Sequence, residues 1–449
     1  MRASLTLAAA LVAPWLAPLA RADVRVVGPS PAPYAEIQAA VDAANDGDVV
    51  LVKSGLYGTV QVLDKELAIV AEANASAQVT GGIRVRNLAA TRSVVLSGLT
   101  STGTHAALAT RHGLLVQNCA GSVRVVSCTL SGALLVEGFG VCQDGAGARV
   151  ENSTDVAFLS TVATGSSNGG GSFQNIGDGG HGCFAQSSRL TAYDVQFRGG
   201  FPAIGYGDTM GCPPLPDPWP SSWLGAPGEG MRAEGGELFA SNTLFRGVSG
   251  TNAQCDGGGG CFCQTEGANA LVHDGGAAHV QLLAAGLFPG AAGINTTGTE
   301  CGGLGGGGPP CSNCPTPPSG QGLVGAATQF PGSPRVLSAT RIAREGGSVT
   351  LTFQGLPGDV VQLLSARSPS RILLPSSSGA LLLKREHIRP VQNLGTIPSS
   401  GTLTATFTVG ELGSGISSRL LHVQSLHTST TGSTILGSAQ VILLLDAGL

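Results

Sequence analysis

The chain has 449 residues, a formal net charge of −4 and 12% charged residues, which excludes a basic surface built for nucleic acid or for an anionic membrane. Glycine fills 69 positions and aromatics only 4%, yet an apolar fraction of 42% is too high for a disordered chain. Many short strands joined by tight turns satisfy both facts, so the expected class is all-β.

Arg2 precedes a mostly apolar, proline-interrupted stretch from Leu5 to Leu19, and Ala20-Arg21-Ala22 gives a small-x-small cleavage site before Asp23. Residues 1–22 are therefore expected to be a secretory signal peptide, and the protein to be secreted, extracellular or on the surface of a bacterial cell. No later segment is long and apolar enough to span a bilayer. Next, apolar residues at Ile37, Ala40, Val41 and Ala44 mark one helical face, broken by Asn45-Asp46-Gly47-Asp48. Val49–Val52 reads as a buried strand and Gly55–Gly58 as a turn. Val60–Leu63 and Leu67–Val70 read as two further strands.

Ile37-Gln38-Ala39-Ala40-Val41, Ala44, Asp46-Gly47-Asp48 and Gly55-Leu56-Tyr57 resemble the opening of pectin-lyase-like right-handed parallel β-helix proteins, pectinesterases among them. The resemblance implies a β-helix solenoid over residues 23–301, its open end covered by the helix. An uncovered solenoid end is an unpaired sheet edge that invites aggregation.

Internal repetition points the same way. Gly182–Gly199 aligns without a gap to Gly230–Gly247, matching Ala185 with Ala233, Leu190 with Leu238, Ala192 with Ala240, Phe197 with Phe245 and Arg198 with Arg246. Segments from Gly113 and Gly147 fit the same frame with one-residue slips, and one from Gly267 fits loosely. Each coil is then a strand, a turn and a strand plus a loop of variable length. The long loops, roughly 166–181, 200–229 and 248–266, should leave successive coils at one point and stack.

Residues 302–333 are rich in Gly, Pro, Ser and Cys and read as a linker or a terminal cap. Beyond Pro334, strand patterns at 348–353, 360–364, 380–384, 402–408, 420–425 and 439–444 predict a separate β-sandwich over 334–449. Parts of it, such as Gly401-Thr402-Leu403-Thr404-Ala405, resemble a C-terminal module of exported bacterial proteins. Of eleven cysteines, Cys119 and Cys128 sit in strand patterns and read as buried thiols. Cys142, Cys183, Cys212, Cys255, Cys261, Cys263, Cys301, Cys311 and Cys314 are disulfide candidates for an exported chain.

Candidate chemistry gathers between residues 142 and 275. By the resemblance, esterases of the group use paired carboxylates with Arg and Gln, and lyases use a Lys or Arg base, commonly with calcium held by Asp. Gln143-Asp144 lacks the esterase surroundings, and no lysine lies between Lys65 and Lys384. Asp178, His181, Asp208 and Arg232 are the catalytic candidates, since loop carboxylates and imidazoles can move protons and a cation can neutralise a uronate. Asp217, Asp256, His273 and Asp274 punctuate the same loops and could equally be turn residues. Trp219, Trp223 and Tyr206 in the longest loop could stack on sugar rings, and Arg198 with Arg246 should form a cationic stripe on neighbouring coils. No cofactor is expected, although calcium would suit the loop aspartates. The expectation is a monomer that binds a polysaccharide or cell-surface glycan. A non-catalytic adhesion protein, and a lyase or hydrolase of acidic polysaccharide, both stay open. The enzyme reading is the weaker, since no complete constellation is visible.

Overall fold

The computed structural model describes residues 22–104, 111–133, 135–137, 141–143, 145–167, 179–202, 226–251, 254–255, 261–262, 265–274, 279–294, 302–303, 306–307, 317–374, 378–389 and 391–449. Among the described residues the protein is all-β apart from the helix Ile37–Ala43 and a short 3-10 turn. From Val24 to Phe330 the chain passes repeatedly through three strand positions, and strands at these positions pair in parallel from pass to pass, with short antiparallel hairpins only in the connections between them. Thus Ile83–Arg86, Ser93–Ser97 and Leu99–Thr102 pair with Leu114–Gln117, Ser122–Val126 and Thr129–Ser131. Two of the positions merge into one sheet because Cys183–Tyr193 and Met231–Ser241 each run through both.

In most passes two corners are made by single left-handed residues. Asp64, Asn87, Asn118, Asn152 and Ser187 turn the first corner, and Gly98, Ser127, Ser160, Asp194, Asn242 and Ala284 the second. Short polar side chains tolerate this conformation best because they can hydrogen-bond locally. They also tie passes together: Asn152 Nδ2 donates to Asn118 Oδ1 at 3.2 Å, and Asn242 Nδ2 to Asp194 Oδ1 at 2.7 Å.

Strands at the first position alternate, as in Ile83–Arg86, with Ile83 and Val85 in the core and Arg84 and Arg86 half-buried on the outside. Strands at the second position are buried on both sides, as in Asp48–Val52, Leu67–Ala71 and Asp155–Leu159. Parallel strands that read as continuous apolar runs need a layer on each face. The C-terminal region supplies the outer layer. Val49, Leu51, Ala68, Val70, Val95, Val126, Leu159 and Phe239 share one apolar cluster with Ile342, Leu382, Ile435, Val441, Leu443 and Leu445. The C-terminal region, expected as a separate β-sandwich, thus contacts the parallel strands through this cluster. Its strands do form their own sheets, and Leu337, Val349, Leu351 and Phe353 of one face Val361, Leu363, Val423 and Ile442 of the other. The whole nevertheless packs onto the parallel strands. Tyr193 seals the contact, its hydroxyl accepting from Ala380 N at 3.0 Å and donating to Ala380 O at 3.2 Å.

The helix covers the first pass through specific bonds. Ile37, Ala40, Val41 and Ala44 are buried, as their spacing predicts. Gln38 then stands in for a missing strand: its Oε1 accepts from Gln61 N at 2.6 Å and its Nε2 donates to Gln61 O at 3.2 Å. Glu36 accepts from Gly58 N at 3.0 Å. An open edge is blunted when its donors and acceptors are taken.

The register confirms the gapless alignment, since Leu190, Ala192, Phe197 and Arg198 pair with Leu238, Ala240, Phe245 and Arg246. Three readings are corrected. The frame from Gly267 would pair Met231 with Ala268, but the partner is Leu271. Gly55–Tyr57 is a strand, because it pairs with Ala77–Thr80 instead of reversing the chain. Parallel pairing continues past residue 301, through Leu323–Val324 and Thr328–Phe330.

Candidate functional site

The third corner of each pass is where the loops leave and return. Here the outgoing and incoming backbones interleave in one column of hydrogen bonds. Ser166 N donates to Gly145 O, Gly180 N to Ser166 O, Gly200 N to Gly180 O, Gly228 N to Gly200 O, Val248 N to Gly228 O, and Ala268 N to Val248 O, at 2.7 to 3.2 Å. The loops expected at 166–181, 200–229 and 248–266 therefore spring from a single line. Glycine is required because the backbones nearly touch: a Cβ on Gly200 would fall on the Ser166 carbonyl.

Immediately after each return begins a strand of the first position, so residues at fixed offsets from its glycine stack in columns. Two residues after Gly82, Gly113, Gly147, Gly182 and Gly230 stand Arg84, Leu115, Arg149, Phe184 and Arg232, followed by Val272 on the next strand. These lie on the outer side of the sheet and alternate cation with apolar group over six strands, Leu115 and Val272 being buried and the other four half-buried. The Arg149 guanidinium lies over the Phe184 ring at 4.6 Å. Such a contact is worth roughly 0.5–1 kcal/mol at a partly exposed site. Just before the glycines stand His112, His181 and Glu229. His181 Nδ1 lies 3.6 Å from Glu229 Oε2, and Arg232 Nη1 lies 3.7 Å from the same oxygen. The His181 ring also stacks on Phe184, with centroids 6.0 Å apart.

Charge is unevenly matched along this face. Arg232 is held by Glu234 at 3.2 Å and Asp274 at 2.8 Å, and Arg149 by Glu151 at 2.5 Å. By contrast, the half-buried Arg84 and Arg86 have no side-chain partner among the described residues, and the buried Nε of each is unsatisfied. Burial, and then repulsion from Arg86, lowers the Arg84 pKa. Burial also raises the Glu229 carboxyl, with Arg232 opposing, and pushes His181 down to about 4, helped by Arg232 and Arg149. His112 is pushed down to about 2 by burial with Arg111, Arg149 and Arg84 around it, and its Nδ1 accepts from Ala146 N at 3.0 Å. Chemically, then, the face offers a carboxyl whose pKa burial raises, a neutral imidazole and cations in reach of one another.

Of the catalytic candidates, His181 and Arg232 meet at Glu229, while Asp178 and Asp208 lie outside the described residues, as do Asp144, Asp217, Asp256, Tyr206, Trp219 and Trp223. His273 and Asp274 do not act as a pair. Alternation sends His273 inward, where it is buried against Ala326, and Asp274 outward to Arg232. Arg198 and Arg246 are neighbours across strands, as expected, but on the third-position sheet, across the loop column from Arg232. Arg246 there lies over Phe288 at 5.8 Å. Cys183 leaves the disulfide set: it is a free thiol buried in the core beside Ala185, and burial raises its pKa, as it does for the free thiols Cys119 and Cys128. Cys255 and Cys261 are backbone partners in a hairpin, Cys142 stands on another, and Cys212, Cys263, Cys301, Cys311 and Cys314 lie outside the described residues. Sequence reasoning missed Arg84, Leu115, Arg149, Phe184 and Glu229. Their signal was the same glycine frame, read one position before and two positions after each glycine.

Among the described residues, no group of three or more His, Cys, Asp or Glu side chains could hold a metal ion, and no helix is long and apolar enough to cross a membrane. No family model and no curated protein matches the chain. Among solved structures, a superoxide reductase (neelaredoxin) from Ignicoccus hospitalis matches at 9% identity and a TM-score of 0.14, covering 25% of this chain and 80% of its own. An AA10 lytic polysaccharide monooxygenase from Streptomyces lividans matches at 17% identity and a TM-score of 0.15, covering 24% of this chain and 58% of its own. Neither likeness is close enough to place the chain in a family.

Proposed function

We propose that residues 23–330 wind as a right-handed parallel β-helix of the pectin-lyase-like kind, covered on one side by a C-terminal β-sandwich, and that the exported protein binds carbohydrate beside its stacked loops. Parallel returns through a fixed set of three strands support the winding, and parallel crossovers are right-handed almost without exception. Export is supported by the sequence of residues 1–22. The backbone N–H of Asp23 already donates to the buried Asp48 carboxylate at 2.9 Å, a ready partner for a new terminal ammonium. The observation that carries the binding reading is the outward column in which Arg149 stacks on Phe184 between His181 and Arg232. Aromatic and guanidinium planes present flat faces to sugar C–H groups, and arginine forks accept carboxylates. A glycan array probed with the purified mature protein tests this. Binding that disappears in Phe184→Ala and Arg149→Ala, with unchanged thermal midpoint, is expected; an array with no ligand overturns it.

Binding without turnover, as in a surface adhesion protein, is the favoured form. A second reading, elimination or hydrolysis of an acidic polysaccharide, draws on Glu229 and His181, a raised carboxyl and a neutral imidazole 3.6 Å apart. It predicts unsaturated or reducing ends from an acidic polysaccharide, abolished in Glu229→Gln. Absence of both products from every bound glycan overturns this second reading and leaves the first.

A further inference from the structure

The sheet that holds the second-position strands begins with Val24–Val27, which pairs in parallel with Asp48–Val52 and lies at one end of the strand order. The peptide leading into this strand, between Ala22 and Asp23, is the bond that removal of residues 1–22 breaks. Both of its polar ends are held. Asp23 N donates to Asp48 Oδ1 at 2.9 Å, and Ala22 O accepts from Ser417 Oγ of the C-terminal region at 2.7 Å. Asp48 is 1% exposed, and its Oδ2 also accepts from Arg25 Nε at 3.0 Å and from Asn45 N at 2.9 Å. A carboxylate this deeply buried persists only where charged and hydrogen-bonding partners replace its water. Arg25 is its one cation among the described residues, and the exposed carboxylate of Asp23 has no ion pair among them.

We infer that Asp48 and Ser417 form a binding site for the chain's own N-terminal ammonium, so that the cut after Ala22 completes the fold by locking the first strand between the parallel sheet and the C-terminal region. The inference rests on the export reading and gives its cleavage a structural role. Hydrolysis adds one water across the bond. The water oxygen stays on Ala22, which leaves as a carboxylate, and both water protons end on Asp23 N, which becomes an ammonium. One neutral N–H is thereby replaced by three donors that share a full charge. One of them keeps Asp48 Oδ1. Ser417 Oγ loses the Ala22 carbonyl and is left facing the new terminus, ready to accept from a second. Two carboxylates, Asp23 and Asp48, are then balanced by two cations, Arg25 and the ammonium. Charge-assisted hydrogen bonds are roughly twice as strong as neutral ones, so the cut strengthens the contact that seats the strand. The position magnifies the effect. Val24, Leu420 and Leu449 pack there against the apolar cluster that the parallel strands share with the C-terminal region. Residues retained before Asp23 would move the ammonium away from this junction.

Three proteins test this: the chain starting at Asp23, the chain starting at Ala20, and the Asp23 chain carrying Asp48→Asn. With an amine-acylating reagent at pH 7, the α-amino group of the Asp23 chain should react about ten-fold more slowly than that of either other protein, with Lys53, Lys65 and Lys384 as internal references. The Asp23 chain should also melt about 2 °C above the Ala20 chain. That comparison needs no substitution and decides the matter if Asp48→Asn does not fold. Equal labelling of the α-amino groups in the Asp23 and Ala20 chains, or equal melting, overturns the inference. Mass spectrometry of the protein secreted by a bacterial host separates it from its parent reading. A secreted chain that begins at Asp23 upholds the export reading whatever the labelling shows. A chain that keeps residues 1–22, or is cut elsewhere, overturns that reading and this inference with it.

Discussion

Two faces of the same coils have opposite fates. The outward residues of the first-position strands include Arg84, Arg86, Arg149, Glu151, Arg232 and Glu234, all half-buried. The outward residues of the second-position strands, among them Val49, Val70, Leu159 and Phe239, are sealed under the C-terminal region. One backbone architecture thus makes a half-buried outer face and a structural core, and the packing of the C-terminal region on one of them separates the two. The polar groups inside the sealed face follow from this. Arg124 takes an outward position in a column of Val95 and Ala157, and once covered it has to be paired, which Asp155 achieves with two hydrogen bonds.

The comparison breaks most readily at that pair. Asp155→Asn leaves a buried guanidinium uncompensated and should cost about 3–5 kcal/mol of unfolding free energy in urea titrations, while replacing both Arg124 and Asp155 by apolar residues of similar volume should restore most of the loss. Aromatic truncation on the two faces sharpens the contrast. Phe239→Ala, at a fully buried position, should cost about 3 kcal/mol, and Phe184→Ala, half-buried on the ladder, less than about 1 kcal/mol. Acid should attack the sealed face. Burial and the neighbouring Arg124 hold His422 down to about 3 in the fold, against 6.5 in the unfolded chain. The unfolded state therefore binds a proton that the folded state refuses. Stability from this group is complete above pH 6.5 and declines as pH falls toward 3, by up to about 1.4 kcal/mol per unit. His112, His181 and His427 add the same sign. Denaturant midpoints measured from pH 7 to 4 should fall, and His422→Gln should flatten the slope by about one proton. The smallest effect belongs to Arg84→Gln, which breaks no contact and should leave the thermal midpoint nearly unchanged, within about 0.5 kcal/mol.

Much of this contrast was legible in the sequence and went partly unread. Val49-Val50-Leu51-Val52 and Leu67-Ala68-Ile69-Val70 are continuous apolar runs, and Ile83-Arg84-Val85-Arg86 alternates. The first pattern demands a second layer, which is the signal that the C-terminal region would dock instead of standing apart. The glycine frame that aligned Gly182 with Gly230 also carried the ladder two residues downstream. His273-Asp274 shows what such a frame misses, since both read as loop residues although a strand holds them and sends them to opposite faces.

By itself, the sequence determined the local terms: the helix from its apolar spacing, the strands from their patterns, and the register from repeated glycines. Each depends on interactions within one coil or between adjacent ones, so a repeat alignment captures it. Only the tertiary structure decided which outward faces stay free and which residues meet on them. Glu229 joins His181 and Arg232 because two loops of unequal length return to one line of backbone hydrogen bonds. Loop length varies without changing where the loop ends are held, so sequence separation carries no information about that meeting.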